Sequence, residues 1–196
     1  LYFVTLSVVD SNDCPASYTD TVFVNNLDAA WVATPSAGCA PLDIIWSDAS
    51  NSLFGNIESW VVDWDDGNID TFYAASEVSE IPYTYSIEGY YYVSVTVTDD
   101  IGCTTTFTDT ILATAPNVDF MVSDSTPCVS QAVNFSELAT GIGLSYLWTF
   151  GDGGTSTAAN PVYTYTAEGI YDVSLTITDI NGCEASITKP AFIEAD

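Results

Sequence analysis

Apolar and polar residues alternate from Tyr146 to Phe150 and again from Tyr171 to Thr178. Tyr146, Trp148 and Phe150 interleave with Leu147 and Thr149, the two-residue period of a strand with one buried face. Gly151-Asp152-Gly153-Gly154 interrupts the alternation with residues suited to the backbone angles of a tight turn. The period resumes with Tyr171, Val173, Leu175 and Ile177 on one face and Asp172, Ser174, Thr176 and Thr178 on the other. This predicts two strands and a turn. No stretch of the chain carries the period of an amphipathic helix.

The same text occurs earlier. Trp60, Val62 and Trp64 run into Asp65-Asp66-Gly67, and Tyr83-Thr84-Tyr85 precedes the alternating segment from Gly89 to Asp99. A truncated copy runs from Tyr2 to Asp10. Taken together, W-T-F-G-D-G-G, N-P-V-Y-T-Y and G-I-Y-D-V-S-L-T-I-T-D resemble the signature of the PKD (polycystic kidney disease) domain family. Residues 116–196 match it closely, and residues 27–115 match with W-D-D-G in place of F-G-D-G and without the Asn-Pro. The resemblance implies an all-β fold of tandem immunoglobulin-like β-sandwiches with Greek-key connections and no helices of note. The expected organisation is residues 1–26 as the closing hairpin of a truncated PKD-like domain, then two full domains at 27–115 and 116–196. An isolated hairpin is marginal in water. Residues 1–26 are therefore expected to be covered by an upstream part of the polypeptide or by a neighbouring molecule.

Charge narrows the function. The chain carries 27 acidic residues against one basic, a net charge of −26, yet 47% of it is hydrophobic. That is too apolar for a disordered acidic tail, so the acid decorates a folded surface. Nucleic acid and anionic lipid are repelled, because binding them depends on Lys and Arg. No apolar run reaches the roughly 18 residues of a membrane span, so neither nucleic-acid binding nor membrane insertion is expected. Self-repulsion of this size is relieved by salt or divalent cations.

Five cysteines stand at repeat-equivalent places. Cys14, Cys103 and Cys183 follow the aspartates that close the long strands, Asp10, Asp99 and Asp179, while Cys39 and Cys128 follow the first-strand aromatics Trp31 and Phe120. One cysteine of each kind per full domain suggests the pairs Cys39–Cys103 and Cys128–Cys183, with the partner of Cys14 outside this segment. Each bond would contribute about 4 kcal/mol in the chain-entropy picture. Disulfides imply an oxidising, extracellular setting, secreted or at the cell surface. A zinc site competes for the thiols, but there is no C-x-x-C and no histidine to support it.

Catalysis lacks its parts. With no histidine, one lysine and paired cysteines, no nucleophile–base constellation can be assembled. The glycine-rich turn at 151–154 lacks the Lys-Ser/Thr of a phosphate loop. Calcium is the candidate cofactor: Asp63, Asp65, Asp66 and Asp70 cluster on one turn, and hard carboxylates suit that ion. Against it, the glycine of this run stands one place early and no glutamate closes the loop, so solvated surface charge is the competing reading. The tryptophans are expected in the core, because Trp31, Trp46, Trp60 and Trp64 align with Phe120, Phe135, Tyr146 and Phe150. The first full domain is the longer, and its extra residues give Phe72, Tyr73, Glu77 and Glu80 the most individual surface. Tyr92 aligns with Asp172 on the outward face, so Phe72, Tyr73 and Tyr92 are the candidate surface contacts.

The expected function is a non-enzymatic extracellular structural or adhesive repeat protein, forming a stiff stalk or a filament. Its partners would be other copies of itself or flanking repeats of the same polypeptide. The alternative is a polysaccharide-binding or spacer module of a secreted hydrolase, with surface glycans as partners.

Overall fold

The computed structural model describes residues 1–22, 24–74 and 80–196, which are strand, turn and loop with no helix among them. A hairpin of β1 (Tyr2–Val9) and β2 (Pro15–Val22) comes first. Ten strands follow: β3 (Leu27–Asp28), β4 (Trp31–Thr34), β5 (Ala37–Cys39), β6 (Leu42–Asp48), β7 (Asn51–Ser52), β8 (Ile57–Asp63), β9 (Ile69–Tyr73), β10 (Ile81–Tyr85), β11 (Gly89–Asp99) and β12 (Thr104–Thr114). The last seven are β13 (Phe120–Val122), β14 (Ala132–Glu137), β15 (Ser145–Thr149), β16 (Thr155–Ser156), β17 (Val162–Thr164), β18 (Gly169–Thr178) and β19 (Glu184–Ala195). The larger sheets run β5-β12-β11-β8-β9 and β10-β6-β4 in the first repeat, then β16-β15-β18-β19 and β13-β14-β17 in the second. The all-β, sandwich-type expectation is borne out.

By compactness the chain divides into two units that do not follow the repeats. The first comprises Leu1–Val32, Trp46–Ile81 and Tyr92–Asp109; the second comprises Ala33–Ile45, Pro82–Tyr91 and Thr110–Asp196.

In the first unit, β8 lies between β9 and β11, pairing Trp60 with Phe72 on one side and with Val97 on the other. The alternation read from the sequence is realised here: Trp60, Val62 and Trp64 are buried, as are Val93, Val95 and Val97. Trp31 meets Phe107 edge-on, and Trp46 stacks on Phe72 at 6.2 Å. The hairpin pairs from Tyr2↔Val22 to Val9↔Pro15 and is exposed along its whole length.

In the second unit, one core is shared by Phe120, Phe135, Trp148, Phe150, Leu175 and Ile177, among others. Trp148 sits at its centre, edge-on to Phe120 at 5.1 Å and to Phe135 at 5.6 Å. Its indole N–H donates to the Ala158 carbonyl at 2.9 Å, which gives the polar end of a buried ring its partner. Gly151 is obligatory after this strand: its φ is 88°, and a Cβ there would lie 2.6 Å from the Asp172 carbonyl oxygen. β18 and β19 pair with a register shift between Tyr171 and Val173. At this bulge Ala191 takes φ 50° and its N–H donates to the Asp172 carboxylate at 2.7 Å. Beside it, the Lys189 ammonium pairs with Asp119 at 2.8 Å, lies over the Phe120 ring and bonds the Phe120 carbonyl. That ammonium and the Phe120 N–H hold the Asp119 carboxyl below the usual range.

Candidate functional site

The carboxylates of the acidic turn between β8 and β9 accept hydrogen bonds from the turn itself and from the strand beside it. Asp63 accepts from the Asp65 N–H at 3.0 Å, and Asp66 accepts from the Asn68 N–H at 3.0 Å. Asp65 accepts from the Tyr92 N–H at 2.8 Å, and Asp70 accepts from the Trp64 indole at 2.8 Å. Asp65 takes φ 60°, at the place Gly151 fills in the second repeat. Among the described residues no group of three or more carboxylates or thiols stands where it could hold a metal ion.

Of the candidate contacts, Tyr73 and Tyr92 are exposed, and so is Tyr90. Phe72 differs from expectation: it is half-buried and stacked on Trp46, because it stands opposite the buried Trp60 in the β8–β9 pairing. Glu77 lies outside the described residues, and Glu80 is exposed. In the second repeat Tyr163 donates to Asp152 at 2.8 Å; burial first, then that carboxylate, push its phenol up to about 12.

One turn is built three times. Asp10, Asp99 and Asp179 each accept two N–H groups on a single carboxylate oxygen. The donors are Asn12 and Cys14 (2.8 and 2.9 Å), Ile101 and Cys103 (3.1 and 2.8 Å), and Asn181 and Cys183 (2.9 and 2.9 Å). Each aspartate N–H also donates to the carbonyl of the same cysteine, at 3.1, 3.0 and 2.9 Å. Positive φ at Asp13, Gly102 and Gly182 closes the turn. Burial pulls the Asp99 carboxyl up, but the N–H groups of Cys103 and Ile101 and the Asn25 amide outweigh it, leaving it below the usual range. Asp179 is lowered in the same way, its burial outweighed by Thr114 and by the N–H groups of Cys183, Asn181 and Gly182.

The disulfide pairing expected from the sequence is corrected here. Cys39 is bonded to Cys183, with Cα atoms 5.4 Å apart, while Cys103, Cys128 and Cys14 are free and exposed. β5 pairs in parallel with the end of β12, setting Cys39 opposite Thr114. The Thr114 hydroxyl in turn lies 3.2 Å from the Cys183 sulfur and accepts from the Asn181 amide at 3.1 Å. Cys39 is therefore held beside the late turn of the following repeat instead of its own. Cys39, Ala40, Thr114, Pro116, Gly182 and Cys183 line a cavity of about 340 Å³ there. Thr114 and Asn181 had no signal in the hydrophobic period.

Residues 30–115 and 113–194 each match the family profile described as PKD domain. Over 85 residues the chain is 41% identical to a microbial collagenase of Vibrio alginolyticus, covering 41% of this chain and 10% of that protein. Over 49 residues it is 51% identical to the pre-pro-metalloprotease PrtV of Vibrio cholerae, covering 25% of this chain and 5% of that protein. The solved PKD1 domain of the Vibrio cholerae metalloprotease PrtV is 33% identical, with 42% of this chain and 98% of that one covered and a TM-score of 0.37. The chain thus spans a tenth or less of the length of these curated relatives.

Proposed function

Because the chain belongs to the PKD domain family, we propose that it is a non-enzymatic extracellular spacer, a disulfide-pinned stalk of tandem sandwiches within a larger polypeptide. The observation that carries this reading is the Cys39–Cys183 bond, which ties one sequence repeat to the next. A bond so placed restrains a tandem in a way that catalysis does not need and a stalk does. It also favours an oxidising exterior. The groups that could have done chemistry are otherwise engaged: the tryptophans in cores, the acidic turn in its own hydrogen bonds. Small-angle scattering of the whole chain tests the reading. A compact globule of 196 residues has a radius of gyration of about 16 Å. A stalk gives a clearly larger value that does not change with concentration; a value at the globular figure would count against it.

A second reading is an accessory module of a secreted hydrolase, supported by the collagenase and metalloprotease relatives. The exposed Tyr73 and Tyr92 would then stack on polysaccharide. Retardation in polysaccharide-loaded gels that disappears in Tyr92→Ala would favour it over the stalk.

A further inference from the structure

The three free cysteines occupy places that this chain already uses for a disulfide. Cys103 and Cys14 stand in the same turn as Cys183, hydrogen bond for hydrogen bond. Cys128 stands where Cys39 does, at the edge beside the repeat's last strand. The Leu112 N–H donates to the Ser36 carbonyl at 3.0 Å and the Ala40 N–H to the Thr114 carbonyl at 2.8 Å. One repeat later, the Glu194 N–H donates to Ser125 at 2.8 Å and the Val129 N–H to Asp196 at 2.8 Å. The bond that exists joins the early cysteine of one repeat to the late cysteine of the next.

A second observation points the same way. Thr114 ends its repeat's last strand and meets the following late turn at Asn181 and Cys183. Asn25 aligns with Thr114 one repeat earlier, and its amide donates to Asp99, in the turn that carries Cys103. A polar side chain from the equivalent position is thus already held against the turn that carries Cys103.

We propose that Cys103 and Cys128 are disulfide-forming sites of a ladder offset by one repeat. Cys128 bonds to the late cysteine of a PKD-type repeat that follows it, and Cys103 to the early cysteine of one that precedes it. The partner is a repeat of this same kind, identified by a cysteine four residues past the aspartate that closes its long strand, or at the edge beside its last strand. Bond formation requires a disulfide oxidant, for which oxidised glutathione serves in the test. The Cys128 thiolate attacks one glutathione sulfur, breaking that S–S bond and releasing one glutathione thiolate. The partner's thiolate then attacks the Cys128 sulfur of the mixed disulfide and releases the second. Two protein thiols are oxidised, one glutathione disulfide is reduced to two glutathiones, and the two thiol protons end on them. The inference rests on the tandem-repeat reading and is independent of the spacer role, since its readout is a bond map and not a radius.

The test extends the whole chain with its own repeats. Fusing a second copy of residues 116–196 after Asp196 gives Cys128 a late cysteine one repeat on. After oxidation, thiols are blocked with maleimide and the chain is cut with pepsin at acid pH, where exchange is stopped. Cys39–Cys183 should persist, Cys128 should be bonded to the added late cysteine, and the reactive thiols should be Cys14, Cys103 and the early cysteine of the added copy, in place of the Cys14, Cys103 and Cys128 of the unextended chain. Cys128→Ser in this extension should abolish the second bond alone. Placing residues 27–89 before Leu1 instead completes the truncated repeat at residues 1–26, and the added early cysteine should then be found on Cys103. An added early cysteine bonded to Cys14, a Cys128 left reactive in the first extension, or Cys39–Cys103 pairing in the unextended chain would each overturn the ladder.

Discussion

Trp46 and Trp148 are both buried on the inward period, yet their indoles are treated differently. Trp148 donates to Ala158, whereas the Trp46 N–H has no hydrogen-bond partner among the described residues. The second repeat places Phe135 where Trp46 stands, so the fold accepts a phenyl ring at that position. Trp46→Phe should therefore cost less stability than Trp148→Phe by about 1 kcal/mol, the worth of a hydrogen bond whose acceptor is left buried. Urea midpoints of the two variants decide it, and equal losses would show that the indole bond contributes nothing net. A repeat comparison shows which aromatic is core. It does not show which has a use for its nitrogen.

The aspartate turn is the element that recurs most faithfully, and it makes the fold sensitive to acid. Asp99 and Asp179 sit below the ordinary carboxyl value of 3.8 in the folded chain. Their stabilisation is complete above that value and is lost as the pH falls through the depressed folded one. Thermal midpoints should hold from neutrality down to about pH 4 on this account and drop below it. The Asp99→Asn, Asp179→Asn double variant, which keeps an acceptor oxygen in each turn, should show a shallower drop; an unchanged acid profile would remove these carboxyls as its cause. Strands, turns and the tryptophan core were legible because Trp60, Val62 and Trp64 obey a two-residue period that repeats. Phe72 was misread because β9 runs on past the two residues that β16 matches in the second repeat, so no counterpart fixes which way its later residues face. In the acidic run, spacing records the carboxylates but not the N–H groups that they accept from. The cysteine pairing was illegible for a deeper reason: early and late cysteines are equivalent in every copy, so sequence cannot say whether a bond closes within a repeat or steps to the next.

That step has a large effect on the whole chain. Cys39–Cys183 spans a sequence separation of 144, and closing so long a loop removes unfolded-state entropy worth about 5 kcal/mol in the chain-entropy picture. The Cys39→Ser, Cys183→Ser double variant should unfold at clearly lower urea concentration than the oxidised chain, and at the same concentration as the reduced one. Identical midpoints for all three would mean the bond fixes geometry without adding stability. The lone lysine has a consequence of another sort. Lys189 is the one positively charged side chain in 196 residues, and its ammonium is committed to Asp119 and to the faces of Phe120 and Phe192. The bond that follows it runs to Pro190, inside a strand of 12 residues. Proteases of the trypsin type choose where to cut with a pocket for a basic side chain, so the folded chain gives them nothing to grip. Trypsin should therefore leave these 196 residues uncut under conditions that degrade a protein of ordinary lysine content.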